Sequence, residues 1–202
     1  MKIEIEDIKF WMDAIRNSED RDRTLESFWG GQIQSKLFLI EALEKHKQIR
    51  NAEIVIFGGW NGLLSSMIFN SELGTKHITS VDIDPKCKEI ATTMNKRQEM
   101  EGKFEAVTAD MVTYEYTRNP YFIINTSCEH ITRDQYNQWL ENVPEGCQII
   151  LQSNNYFDHP EHINCCEDLQ QFKTRSKLKI TDEAELKLEK YTRFMIIGRK
   201  DK

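Results

Sequence analysis

Residues Glu53 to Pro85 constrain this chain more than any other stretch: EIVIFGGWNGLLSSMIFNSELGTKHITSVDIDP. The apolar run Ile54, Val55, Ile56 and Phe57 reads as a buried strand, and a loop with Gly58, Gly59 and Gly62 follows it. Leu63, Leu64, Met67 and Ile68 recur at helical spacing, and Ile78 to Val81 reads as a second strand ending on Asp82. Strand, glycine turn, helix, strand and acid, in that order, predict a nucleotide-type cofactor site. Glycine lets backbone approach a ligand where a Cβ would collide. The helix N-terminus that follows offers unpaired N–H groups to a carboxylate or phosphate. Asp82 lies about 20 residues beyond the last loop glycine, the spacing at which an acid commonly accepts from ribose hydroxyls.

Before this stretch, Ile5, Ile8, Met12 and Ile15 share one helix face, with Trp11 beside them. A second helix is expected from Gln32 to Gln48, with Ile33, Leu37, Ile40 and Leu43 inward and Glu41, Glu44, Lys45 and Lys47 outward. Between them Phe28 and Trp29 read either as a packed helix junction or as a lid over a substrate. Residues 1–50 are expected to form a helical cap and residues 51–202 one compact cofactor-binding unit.

After Asp82, residues Pro85 to Arg97 place Cys87, Ile90, Ala91 and Met94 on one helix face. Phe104 to Thr108 and Tyr121 to Ile124 read as strands. Thr132 and Gln135 have capping-box spacing ahead of a helix that turns Tyr136, Trp139, Leu140 and Val143 inward. Gln148 to Leu151 is a fifth strand, and the polar run QSNNYFDHPEH reads as a loop before a helix carrying Cys166, Leu169 and Phe172. Two β-rich runs close the chain, Leu186 to Tyr191 and Arg193 to Gly198, and suit an antiparallel pair at a sheet edge. Alternating strands and helices imply a mostly parallel sheet covered on both faces, with ligands at the C-terminal ends of its strands.

These elements, in this order, resemble the class I S-adenosylmethionine-dependent methyltransferases over roughly Glu53 to Arg199. That resemblance implies an α/β Rossmann-like fold: a seven-stranded, mostly parallel sheet with an antiparallel C-terminal edge strand, RFMIIGRK. It implies S-adenosyl-L-methionine as cofactor. IVIFGGWNG would wrap its methionine part through Phe57, Gly58, Gly59, Trp60, Asn61 and Gly62. VDID would hold the ribose through Asp82 with Ile83 beside it, and TAD would place Asp110 and Met111 at the adenine. FIINTSCEH sits where the family's fourth strand ends, so Asn125 joins the cofactor set. Trp60 stands in place of the family's middle glycine, and Ile56 in place of an acid inside the first strand. GGWNGLLSS is also similar to the nicotianamine-synthase group, which transfers the aminocarboxypropyl arm of the same cofactor.

Glu129 and His130 follow the fourth strand directly and are the candidate general bases, since histidine titrates near neutrality and burial tunes a carboxylate upward. Gln152, Asn154, Asn155 and Tyr156, together with His162, offer donors and acceptors to a polar acceptor, although Asn and Ser also favour turns with no ligand. Cys128 as a covalent nucleophile is disfavoured, because no proline adjoins it and the chain has a net charge of −6. HPEHINCC holds metal-ligating residue types, and His162 and Cys166 would share a face at i, i+4 on a helix. Adjacent cysteines rarely both reach one ion, so no metal is expected and Cys165 and Cys166 are read as packing residues.

The acidic balance argues against a broad phosphate-tracking surface, while a local contact through Lys173, Arg175, Lys177 and Lys179 stays open. The expected partner is a small molecule or a peptide group, with nucleic acid disfavoured but left open; no apolar run approaches the roughly 20 residues needed to cross a bilayer, so no membrane is expected. The five cysteines follow no regular frame and suit a reducing, cytoplasmic setting. A cofactor-binding module without catalysis is the reading from another class, supported by the altered glycine loop.

Overall fold

A computed structural model describes residues 1–45 and 51–200. Three helices come first, α1 (Ile5–Asn17), α2 (Arg21–Glu26) and α3 (Gly30–Lys45). Then follow β1 (Glu53–Phe57), α4 (Leu63–Phe69), β2 (His77–Asp82), α5 (Pro85–Met94), α6 (Lys96–Met100) and β3 (Phe104–Thr108). The chain continues through β4 (Phe122–Asn125), a 3-10 turn (Cys128–His130), α7 (Arg133–Asn142), β5 (Gln148–Asn154), α8 (Leu169–Ser176), β6 (Leu178–Lys187) and β7 (Thr192–Lys200). The seven strands form one mixed sheet in the order β3-β2-β1-β4-β5-β7-β6. Pairings β1–β2, β2–β3 and β4–β5 are parallel, and β5–β7 and β6–β7 are antiparallel.

Two compact units divide the chain, Met1–Asp110 and Met111–Lys202. In the first, β1 is buried almost throughout, as its unbroken apolar run requires, and β2 buries His77, Thr79 and Ser80 along with Ile78 and Val81. Within this unit α1 packs on α2, α5 and α6, and α3 packs on α4. The apolar stripe expected on α1 is solvent-exposed: Ile5, Ile8 and Met12 face outward, while Asp7 and Ala14 are buried. Arg97 and Asn70 explain the inversion, because they supply the charge and hydrogen bonds that let Asp7 go inside. Phe28 meets Trp11 with ring centroids 5.9 Å apart, a packed junction, whereas Trp29 is exposed. The second helix starts two residues earlier than expected, with Gly30 and Gly31 in its first turn. Its expected end, Lys47 and Gln48 included, lies outside the described residues.

In the second unit the capping box is present: Gln135 N–H donates to Thr132 Oγ1 at 3.2 Å, and Thr132 N–H to Gln135 Oε1 at 2.9 Å. Tyr136, Trp139, Leu140 and Val143 are buried as their spacing predicts. Three expectations are corrected here. Strand β5 runs on to Asn154, so Gln152 and Asn154 are buried strand residues rather than loop. Residues 162–166 are not helical, so His162 and Cys166 share no helix face. The C-terminal hairpin is antiparallel as expected, but β6 begins at Leu178 and holds the edge, leaving RFMIIGRK between β5 and β6.

Candidate functional site

The glycine loop of the first unit is built by close approach. Gly59 N–H donates to the Val81 carbonyl at 3.0 Å, and a Cβ on Gly59 would lie 2.0 Å from Ser80 Oγ. No larger residue fits there without displacing Ser80. Gly62 has φ +76 and precedes α4 as its cap residue; a Cβ there would meet Asn95 Nδ2 at 2.7 Å and Ala91 Cβ at 2.9 Å. Trp60, the departure from a glycine, itself adopts φ +47, the backbone conformation that a glycine would hold at no cost.

Asp82 ends β2 and ties the loop to it. Its Oδ2 accepts from Trp60 N–H at 2.8 Å, and its Oδ1 accepts from Asp84 N–H at 3.0 Å. A carboxylate has about four lone-pair positions, so each oxygen keeps room for one further donor. Asp82 does not cap a helix: Asp84 does, accepting from Lys86 N–H at 3.0 Å ahead of Pro85. Arg23 of α2 reaches Asp84 at 2.6 Å, a link between distant residues with no local signal in the sequence. That guanidinium, together with Lys86 N–H, holds the Asp84 carboxyl below the usual range. Ile83 is exposed, Asn61 is buried, and Asp110 lies two residues beyond β3.

Polar groups of the second unit gather around Glu129. Its Oε1 accepts from Arg193 Nη1 at 2.6 Å and from Asn154 Nδ2 at 2.7 Å. Both Glu129 and Arg193 are buried, at 2% and 5% exposure, so this is a desolvated ion pair. Glu129 Oε2 is buried with no hydrogen-bond partner among the described residues. Ile163 and Asn164 N–H groups donate to the Glu129 carbonyl at 2.9 and 3.0 Å, which fastens the loop carrying His162 to the 3-10 turn. His162 Nδ1 lies 2.8 Å from the Tyr156 carbonyl, and burial lowers its pKa, with that hydrogen bond opposing in part.

Exposed His130 meets His162 edge-on, with ring centroids 4.8 Å apart, and His159 lies 4.5 Å from His162. Tyr156 stacks on Tyr191 at 5.4 Å, nearly parallel. Beside His162 lies an open groove of about 480 Å³ lined by Arg133, Arg175, Phe157 and Ile163.

The structure brings Glu129, His130, His162, Tyr156 and Asn154 together and gives Asn125, Asn155 and Gln152 contacts within the fold. Asn125 Oδ1 accepts from Ser127 N–H at 2.9 Å and its Nδ2 lies 3.8 Å from Met111 Sδ. Asn155 Oδ1 accepts from Thr192 N–H at 2.7 Å, and Gln152 Nε2 lies 3.9 Å from Met195 Sδ. The basic run is partly consumed as well: Lys173 pairs with Glu183 at 2.7 Å and Arg175 donates to the Cys165 carbonyl at 2.9 Å. Arg193 is the site residue that sequence reasoning missed.

No family model matches the sequence, and no curated protein matches it significantly. Solved structures do resemble it. The N-methyltransferase NodS from Bradyrhizobium japonicum WM9, in complex with S-adenosyl-L-homocysteine, aligns at TM-score 0.69 and 9% identity, covering 96% of this chain and 99% of that one. Magnesium protoporphyrin IX methyltransferase ChlM from Synechocystis PCC 6803, with bound SAM, aligns at 0.65 and 12% identity, covering 96% and 91%. MtNAS in complex with MTA and tNA aligns at 0.63 and 15% identity, covering 97% and 70%. The chain therefore has the class I S-adenosylmethionine-dependent methyltransferase fold.

Proposed function

We propose that the protein binds S-adenosyl-L-methionine and transfers its methyl group to a polar small molecule or a peptide or protein group. The observation that carries this reading is Asp82. Its carboxylate is aimed by two backbone N–H groups, Trp60 and Asp84, and retains acceptor capacity on both oxygens at the tip of β2. A ribose diol offers two donors of matching chemistry. The fold's solved relatives NodS and ChlM were crystallised with S-adenosyl-L-homocysteine and SAM, which supports the same ligand here. In the proposal Phe57 to Gly62, Asp82, Ile83, Asp110, Met111 and Asn125 serve the cofactor. Glu129 and His130, with Gln152, Asn154, Asn155, Tyr156 and His162, serve the acceptor. Of the two, His130 is exposed, whereas Glu129 is buried with its Oε1 engaged by Arg193 and Asn154. Arg133 and Arg175 along the groove favour an acceptor that carries an anionic group.

The likeness to MtNAS, together with GGWNG in the loop, supports a second reading in which the aminocarboxypropyl arm is transferred instead. One experiment separates the possibilities. Calorimetric titration with S-adenosylmethionine and S-adenosylhomocysteine is repeated with Asp82→Ala. Micromolar binding lost in the variant establishes the cofactor, and the by-product then decides the group: S-adenosylhomocysteine for methyl, methylthioadenosine for the arm. A folded protein that binds neither ligand defeats both readings.

A further inference from the structure

We infer that Glu129, His130 and His162 form a binding site for one divalent transition-metal ion. Each residue offers one ligand atom, and these atoms lie within 4.8 Å of one another. Tetrahedral bonds of about 2.0–2.2 Å place ligand atoms roughly 3.3–3.6 Å apart. The cluster is therefore expanded by about an ångström at most relative to an occupied site.

The carboxylate gives the strongest indication. Both hydrogen bonds to the Glu129 carboxylate converge on Oε1, while Oε2 is buried and has no hydrogen-bond partner among the described residues, in a side chain only 3% exposed. Buried carboxylate oxygens are rarely left this way, because nothing replaces the water they lose. A cation held also by the two imidazoles would satisfy Oε2.

His162 is set up as a ligand. The Tyr156 carbonyl can only accept, so the His162 proton sits on Nδ1 and Nε2 presents a lone pair. Metal-binding histidines are oriented in this way by a backbone carbonyl on the other ring nitrogen. The two N–H groups from Ile163 and Asn164 to the Glu129 carbonyl hold the ligands in register through the backbone. His159 is close but differs: its Nδ1 accepts from Glu161 N–H at 3.3 Å, which leaves its proton on Nε2. It lies next to His162, outside the ligand cluster.

Two imidazoles and one carboxylate suit zinc, cobalt, nickel or ferrous ions rather than magnesium or calcium, which prefer oxygen. Arg193 beside Glu129 offsets much of its negative charge, so binding is weaker than at a closed structural site. Three protein ligands leave a coordination position open for an acceptor oxygen or nitrogen. The site stands on this cluster alone and does not depend on the transferase reading.

The test uses full-length, tag-free protein stripped with a chelator, titrated calorimetrically with zinc and spectroscopically with cobalt(II). One ion per chain at micromolar affinity is expected, with a visible cobalt d–d absorption. His130→Ala and His162→Ala should each weaken zinc binding by about tenfold or more and lose the cobalt band, with circular dichroism unchanged. His159→Ala should bind as the parent does. Binding only at millimolar zinc overturns the site, as does an affinity unchanged in both ligand variants. A thiolate-to-cobalt charge-transfer band would instead assign the ion to cysteine and overturn it equally.

Discussion

Arg97 grips Asp7 with two nitrogens, Nε donating to Oδ1 at 2.9 Å and Nη2 to Oδ2 at 2.8 Å. Asn70 Nδ2 adds a third bond at 2.6 Å and Gln98 Nε2 a fourth at 3.2 Å. The Asp7 side chain is fully buried, so its charge depends on these partners. Asp7→Ala should cost about 3 kcal/mol, at the lower end for a buried pair because Arg97 is 27% exposed and regains some water. Ile8→Gln, on the exposed stripe of the same helix, should shift stability by no more than about 0.5 kcal/mol. Urea unfolding of the two variants measures both. Equal losses would mean that α1 is held by its apolar stripe after all.

Acid should release the same contact. Burial raises the Asp7 pKa, but the hydrogen bonds from Arg97, Asn70 and Gln98 and the Arg97 charge together outweigh it and hold the carboxyl below the usual range. A depressed native pKa adds stability that is complete above the ordinary aspartate value and is lost as pH falls through the native one. The stability gap between the parent and Asp7→Asn should be widest at neutral pH and shrink below about pH 4. Parallel urea titrations at descending pH measure it. A gap that persists unchanged into strong acid would show that Asp7 acts by packing rather than charge.

What was legible in the sequence follows the range of the interactions. Strand β1 can be read because a strand buried on both faces leaves an unbroken apolar run, β2 because Ile78 and Val81 frame a short run that ends on Asp82, and the Thr132 capping box because it spans only three residues. The α1 stripe misled because the partner that draws Asp7 inward lies 90 residues away. The polar residues Gln152 to Asn154 read as loop for a similar reason. Gln152 and Asn154 are tolerated inside β5 because Met195 and Glu129, distant in the chain, meet their side chains. Glu129 and His130 could be placed by position alone, just after β4. Arg193, 64 residues further on, could not.

The glycine loop makes a prediction with its own suppressor. Gly59→Ala should destabilise by about 1–3 kcal/mol, because the new Cβ would lie 2.0 Å from Ser80 Oγ. Ser80→Ala in the same chain removes that atom and should restore most of the loss. Gly62→Ala should not be rescued: φ +76 is strained for alanine, and Ala91 Cα stands 3.0 Å from the new Cβ. Thermal melts of the three single variants and the Gly59→Ala, Ser80→Ala pair read this out. Failure of Ser80→Ala to suppress Gly59→Ala would mean that the loop needs glycine for its backbone conformation and not for space.

Thiol chemistry provides a direct check on Cys128. All five cysteines are free and buried. Burial, aided by nearby acidic groups, pushes Cys87 up to about 12 and Cys165 up to about 11. Cys128, desolvated and beside Glu129, also sits well above the ordinary thiol value. A nucleophilic cysteine needs the thiolate, which such surroundings suppress. Ellman's reagent at neutral pH should therefore label the native protein slowly and reach all five thiols only after denaturation. Rapid labelling of Cys128 in the folded protein, located by peptide mass analysis, would show that the ground beneath Glu129 opens to solvent, and would return covalent catalysis to consideration.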